Sequence, residues 1–365
     1  MKNPFIYSSI ATGESFCNRE NEQAELITSA KNSQNVLLYS HRRTGKTSLI
    51  HQVIQRLKRT RPKVHTVYID LFGTVSEREF VELLFKGLSQ IENRLEKIIK
   101  TVAGVSVAVE IDPLTGSQQY ALSLKPKKTD YYLGGIMKIL GSFSEKRKLM
   151  VVFDEFQEIS KYAEKGFEQR LRSHIQFHHN ICYVFSGSHR HLLLQMFNSA
   201  DRAFYQSAGS FPLHPIAREH YIKWAKGLFK DKKGVELPNA VIGDIVDRCE
   251  LQPLAIQHYL YKLWGVEQVD PETIERIERN VLERRKMMFE NTWSNLSTTQ
   301  KKALKLVAKT GGKGLFNPQR LTDSGFKSVT YLQRALKALI ERQVLTKNGG
   351  YQYQDVMFKK WIQSL

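Results

Sequence analysis

Cysteine is scarce in this chain: Cys17, Cys182 and Cys249 are the three among 365 residues, odd in number and scattered. That excludes a disulfide framework and makes reduced thiols in a cytoplasmic protein the expected state. No run of about eighteen apolar residues occurs, so no membrane-spanning helix and no membrane partner are expected. The opening Met1-Lys2-Asn3-Pro4-Phe5 lacks the apolar stretch of a secretory leader. Internal repeats and low-complexity segments are also missing. Acidic residues are in deficit, with 36 Asp and Glu against 55 Lys and Arg, for a formal net charge of +19. Metal-ligand spacing is poor. His174 and His178 stand one helical turn apart, but Ile175 occupies the place where a zinc protease needs glutamate. No Ser/His/Asp arrangement can be picked out. What remains is a globular composition, 41% hydrophobic and 10% aromatic, in a length that calls for two or three domains.

The most informative stretch runs from Leu37 to Ile50. An apolar run leads into the polar loop Ser40-His41-Arg42-Arg43-Thr44-Gly45-Lys46-Thr47-Ser48, and an apolar-periodic helix follows. This strand–loop–helix context is the one a phosphate-binding P-loop requires. Backbone N–H groups of such a loop point at a polyphosphate, and the helix adds its positive N-terminal end. Ser40 to Ser48 are therefore candidate nucleotide-binding residues. Lys46 is placed to reach the β- and γ-phosphates, and the Thr47 hydroxyl to complete a Mg²⁺ shell. Ser40 stands where the usual pattern has its first glycine.

Strand and helix patterns alternate up to about residue 215. Val36–Tyr39, Val64–Leu71, Lys148–Phe153 and Ile181–Phe185 read as strands between helices, and Asn18 as an N-cap of the first helix. Such alternation implies a parallel sheet covered on both faces. Residues 105–111 and 119–125 flank Asp112-Pro113-Leu114-Thr115-Gly116 as a hairpin, an insertion near 104–126. The expected architecture is an α/β P-loop core over residues 1–215. A helical lid over 216–292 and a winged helix-turn-helix over 293–365 follow. The last has helical segments and a hairpin around Gly349-Gly350.

Leu149 to Phe153 is an apolar strand ending in Asp154-Glu155. The carboxyl end of a parallel strand is where α/β sheets hold ligands. Asp154 is the candidate second Mg²⁺ ligand, and Glu155 the group that polarises an attacking water. Ser188, after strand Ile181–Phe185, is the candidate contact to the terminal phosphate or that water. Glu155, Lys46 and Ser188 form the expected catalytic set. Arg42 and Arg43 are the arginines placed to meet a nucleotide or a neighbouring subunit; Arg190 and Arg202 read as surface residues.

From Asn295 to Leu365 there are thirteen Lys and Arg against three Asp and Glu, so this last fifth carries about half of the net charge. A concentrated basic module reads as a polyanion-binding surface. Lys327, Arg334, Lys337 and Arg342 flank or stud the expected recognition helix, and Lys347 sits at the wing. Few base-reading side chains accompany them, so phosphate contacts to DNA are expected before sequence specificity.

Taken together, Phe16-Cys17-Asn18-Arg19-Glu20-Asn21-Glu22, the loop Arg42 to Leu49, Val67 to Leu71, Asp154-Glu155, Gly187-Ser188 and Arg202-Ala203-Phe204-Tyr205 resemble the archaeal-type ATPase family of P-loop proteins, in its AAA+/STAND branch. Tyr353-x-Asp355-x-x-Phe358-x-x-Trp361 is similar to the family's closing pattern. The resemblance spans nearly the whole chain. It implies an ATP-binding core, a lid and a winged helix, with ATP hydrolysis as activity and ATP and Mg²⁺ as cofactors. It also adds Arg19 and Pro253 to the nucleotide-binding residues. Leu251-Gln252-Pro253 departs from the Gly-x-Pro turn that many relatives use to sense nucleotide from the lid. The leading expectation is an ATPase whose nucleotide state is coupled to DNA. The rival is a STAND-type switch with a protein partner, and a homo-oligomer fits either. A small-molecule kinase uses the same loop but has no need of a winged helix.

Overall fold

The computed structural model describes residues 2–89, 91, 106–111, 118–123, 129–347 and 349–365. They divide into two compact units, one of residues 19–40 and 46–214, the other of residues 1–18, 41–45 and 215–365. Among the described residues no helix is long and apolar enough to cross a membrane.

The unit that begins at Arg19 is built on five parallel strands: β1 (Val36–Tyr39), β2 (Val64–Asp70), β5 (Lys148–Asp154), β6 (Ile181–Gly187) and β7 (Gly209–Pro212), in the order β2-β5-β6-β1-β7. The central strands are mostly apolar because both faces are covered. Every residue of β6, and every residue of β5 after Lys148, is buried. Helices α1 (Glu20–Lys31), α2 (Lys46–Leu57), α3 (Glu77–Ser89), α4 (Thr129–Ser144), α5 (Phe167–Ile175) and α6 (Arg190–Asn198) supply the cover. One face closes over an aromatic cluster in which Phe185 lies 4.7 Å from Phe156 and 5.0 Å from Phe197, centroid to centroid. β3 (Ser106–Ile111) and β4 (Gln118–Ser123) pair antiparallel in a separate two-stranded sheet. The expected turn at Asp112–Gly116 lies outside the described residues, as does Asn348 of the wing; of the helix that the apolar pattern predicts over Ser76–Leu95, residues 90 and 92–95 lie outside them as well.

Three features depart from the sequence reading. Strand β7 has no apolar alternation, because only Phe211 of its four residues is buried, so nothing marked it. Helix α6 opens at Arg190, two residues after Ser188, in a stretch with no helix among the expected elements. Asn18 is not the N-cap of α1. Asn18 and Arg19 both take left-handed conformations (φ 55° and 66°), Arg19 holds the cap position, and its side chain makes no capping hydrogen bond.

The second unit begins with an extended segment whose Phe5 is clasped by Trp224, Phe229 and Trp264 at centroid distances of 5.3, 5.4 and 5.9 Å. These rings belong to α7 (Arg218–Lys233) and α9 (Pro253–Trp264), which pack with α8 (Asn239–Arg248) and the long α10 (Thr273–Ser294). The chain then forms a winged helix from α11 (Thr298–Thr310), α12 (Pro318–Asp323), α13 (Val329–Glu341), the hairpin β8 (Leu345–Lys347) and β9 (Tyr351–Tyr353), and α14 (Val356–Gln363). Three of its helix starts are chemically specified. Ser297 and Gln300 make a capping box, Asn317 caps α12 ahead of Pro318, and Asp355 caps α14.

In the sheet unit, Glu77 is fully buried on α3 and ion-paired with Arg170 of α5. Removing Arg170 takes a cationic partner from a buried carboxylate, which costs about 3 kcal/mol. Arg170→Ala should therefore lower the thermal midpoint of this unit by roughly 6–12 °C. Calorimetry checks this, and a shift within about 2 °C would contradict it.

Candidate functional site

Strand β1 ends at Tyr39, and the loop that follows must turn sharply into α2. Arg43 (φ 64°) and Gly45 (φ 90°) supply the left-handed steps. A Cβ built on Gly45 meets no heavy atom within 4 Å, so the constraint there is backbone conformation and not crowding. Lys46 opens α2 and is buried, and its ammonium donates to Ser40 Oγ at 3.2 Å. The serine that replaces the usual glycine is thus a direct partner of the loop lysine.

Thr47 donates through Oγ1 to Asp154 Oδ2 at 3.0 Å. Tyr68 on β2 donates to the same oxygen at 2.9 Å. Burial, then Asp154, pushes the Tyr68 hydroxyl far above its ordinary range, so it stays a donor. Burial holds His51 below its usual value, with Asp154 opposing. Asp70 lies at the end of β2, and burial raises its carboxyl; the Phe72 N–H counters this, while Asp154, Glu155 and Glu158 add to it. The carboxyl ends of β2 and β5 thus bring the carboxylates of Asp70, Asp154 and Glu155 near one another.

Glu155 sits in a left-handed conformation (φ 51°) that carries the chain out of β5 into a turn of 3₁₀ helix. Its Oε2 accepts from the Ser188 N–H at 3.1 Å, Ser188 Oγ at 2.9 Å and Gln157 Nε2 at 2.5 Å. Gln157 fits because Gly187 has no side chain: a Cβ there would lie 2.0 Å from Gln157 Oε1. Ser188 and Glu155, expected together, are in contact. Gln157 and Tyr68 are residues that the sequence reading missed; only their nearness to Asp154-Glu155 along the chain or across the sheet could have marked them.

The remaining candidates are placed as follows. Arg19 is 2% exposed, and its guanidinium is engaged by Glu22 at 2.9 Å and the His214 carbonyl at 3.0 Å. Arg202 pairs with Glu168. In the other unit, Thr44 donates to the His41 carbonyl at 2.7 Å. His41 Nδ1 lies 2.8 Å from Thr346 Oγ1, and Arg43 is ion-paired with Asp355. Arg42 is exposed, and Ser48 is partly buried in α2. Pro253 opens α9, and Leu251, at the place of the relatives' glycine, takes φ 59°. A cavity of about 420 Å³ in this unit is bordered by Tyr7, Arg43, Leu254, His258, Arg285 and Asp355. Tyr7 stacks on His258 at 3.9 Å. Burial, then Lys262 and Arg285, pushes His258 down to about 4, which leaves it neutral at physiological pH.

Lys327, Arg334, Lys337 and Lys347 are all exposed around α13 and the wing. Arg342 is exposed as well, but one Nη donates to the Asn295 carbonyl at 2.8 Å. Beside them Val329 and Tyr331 are exposed apolar positions.

The family described as "ATPase domain predominantly from Archaea" matches residues 16–256, and a "probable winged helix domain" matches residues 287–364. None of the curated proteins matches the sequence. Among solved structures, the chain is similar to the Walker-type ATPase PABY2304 of Pyrococcus abyssi. Identity is 18% over 96% of this chain and 97% of that one, with a TM-score of 0.66. It is also similar to the Aeropyrum pernix ORC2 protein, solved as ADPNP–ADP complexes, at 15% identity over 95% and 94% of the two chains and a TM-score of 0.58. These likenesses show a shared fold, and the match over residues 16–256 shows that the chain belongs to the family of ATPase domains found predominantly in Archaea.

Proposed function

We propose that this protein binds ATP with Mg²⁺ at the Ser40–Ser48 loop, hydrolyses it, and couples nucleotide state to DNA binding by the winged helix. The observation that carries the first part is the hydrogen bond from Thr47 to Asp154 at 3.0 Å, which joins the loop helix to the acidic end of β5. A hydroxyl and a carboxylate at this distance form the start of an all-oxygen shell of the kind magnesium prefers. Among the described residues no three His, Cys, Asp or Glu side chains gather as a metal site by themselves. Thr47 and Asp154 would therefore hold the ion together with phosphate oxygens. The bound ion supplies charge neutralisation at the terminal phosphates.

The chain's own groups have separable tasks. Lys46 supplies a cation to the phosphates once it leaves Ser40. Tyr68 fixes one Asp154 oxygen. Ser188 and Gln157 occupy Glu155 Oε2, which leaves Oε1 as the oxygen to take a proton from water. Arg42 and Arg43 lie in the same loop as further phosphate partners, and Pro253 would meet the nucleotide from the lid. Arg19, which the family resemblance adds to the nucleotide-binding residues, is held by Glu22 and the His214 carbonyl.

Lys46→Ala should weaken ATP binding at least tenfold in calorimetric titration, the loss expected from one charge-assisted contact of about 1.5–3 kcal/mol. Unchanged affinity would remove the loop from the site. Glu155→Gln should leave binding intact and slow turnover by about 10²–10⁴-fold. Full turnover in that variant would exclude Glu155 as the base.

The DNA reading rests on charge and exposure. Lys327, Arg334, Lys337 and Lys347 are solvated cations on a winged helix, with Arg342 at its edge. Four phosphate contacts predict a log–log salt slope of about −3.6, hence on the order of a hundredfold loss of affinity from 50 to 200 mM salt. Fluorescence anisotropy with a labelled duplex measures this. Binding without salt dependence, or unaltered by Lys327→Glu with Arg334→Glu, would exclude this surface.

A further inference from the structure

Asp355 is the N-cap of α14 and accepts from the Met357 N–H at 3.0 Å. Its side chain is 14% exposed and meets two arginines: Arg285 of α10, with Nη2 at 2.5 Å and Nη1 at 3.4 Å, and Arg43 of the phosphate loop. A capping carboxylate needs one cation to offset its burial, and here it has two. The second comes from a loop residue whose backbone is held left-handed, a conformation that costs a non-glycine residue free energy and persists only when its surroundings impose it. The same loop is tethered again at His41, whose Nδ1 lies 2.8 Å from Thr346 Oγ1 on the wing strand β8. The loop tip thus belongs to the compact unit that contains the winged helix.

We propose that Asp355 is a regulatory counter-anion of the phosphate loop. It holds Arg43 while the loop has no phosphate to answer, and a nucleotide must take Arg43 from it to bind. The inference rests on the reading of Ser40–Ser48 as a nucleotide loop. By reciprocity, phosphate capture of Arg43 leaves Asp355 with Arg285 alone and frees the wing from the loop, so occupancy and the state of the winged helix bias one another. The exchange is isoelectric for the loop: Arg43 passes from one anion to another, and no bond is made or broken covalently.

The test is equilibrium binding of a fluorescent ATP analogue, mant-ATP, to the full chain. Asp355→Asn keeps an N-cap oxygen but removes the charge. It should tighten mant-ATP about fivefold. Arg285→Gln leaves Arg43 as the remaining cation for Asp355 and should weaken binding by a similar factor. Both effects should vanish in an Arg43→Gln background. Opposite signs that depend on Arg43 cannot come from general loosening of the fold. An Asp355→Asn effect that is absent, or that persists unchanged without Arg43, would overturn the latch while leaving the nucleotide site standing. Wild-type protein that binds no mant-ATP would overturn both.

Discussion

The buried end of β5 sets the terms for this molecule. Asp154 is 3% exposed at the close of an apolar strand, with carboxylates near it and with neutral donors, Thr47 and Tyr68, on one oxygen. Hydroxyls orient a carboxylate but do not neutralise it. On the proposed reading, a bound cation would compensate the charge at this end of the sheet. β5 must be central to be buried on both faces, which explains its unbroken apolar run and its flanking by β2 and β6. Helix α2 must start where it does for Thr47 to reach Asp154, and the tight left-handed steps of the loop make that start possible.

Much of this was legible in the sequence because the responsible patterns are local. An apolar run followed by Gly45-Lys46-Thr47, and another closed by Asp154-Glu155, announce strand ends directly. The winged helix was legible from its helices and its glycine-rich wing. What escaped lacks a local signature. Strand β7 is short and mostly exposed, so neither alternation nor an apolar run marks it. Tyr68 acquires its role through sheet order: β2 lies beside β5, with Tyr68 in register with Val152 and Asp70 with Asp154. Gln157 depends on the missing side chain of Gly187, a contact between residues thirty positions apart. Such couplings belong to topology and cannot be read from spacing.

Ser40 illustrates a middle case. The sequence shows that a glycine is replaced but not what the replacement does. The structure gives the hydroxyl a task, as acceptor for the Lys46 ammonium. A lysine already hydrogen-bonded inside its own loop must exchange that partner for phosphate, and Arg43 must do the same with Asp355. Two of the loop's cations are therefore spoken for, Lys46 by the loop's own serine and Arg43 by the cap of α14. On this account nucleotide affinity is set by the partners that Lys46 and Arg43 give up as much as by the phosphates they take.

The central claim is that Thr47 and Asp154 act as a single magnesium-dependent unit. A double-mutant cycle on Mg²⁺-dependent ATP binding, with Thr47→Val, Asp154→Asn and the pair together, tests it most directly. The account predicts a coupling of about 1–3 kcal/mol, with the double variant little worse than either single one. Additive losses, or losses that persist unchanged without Mg²⁺, would contradict it.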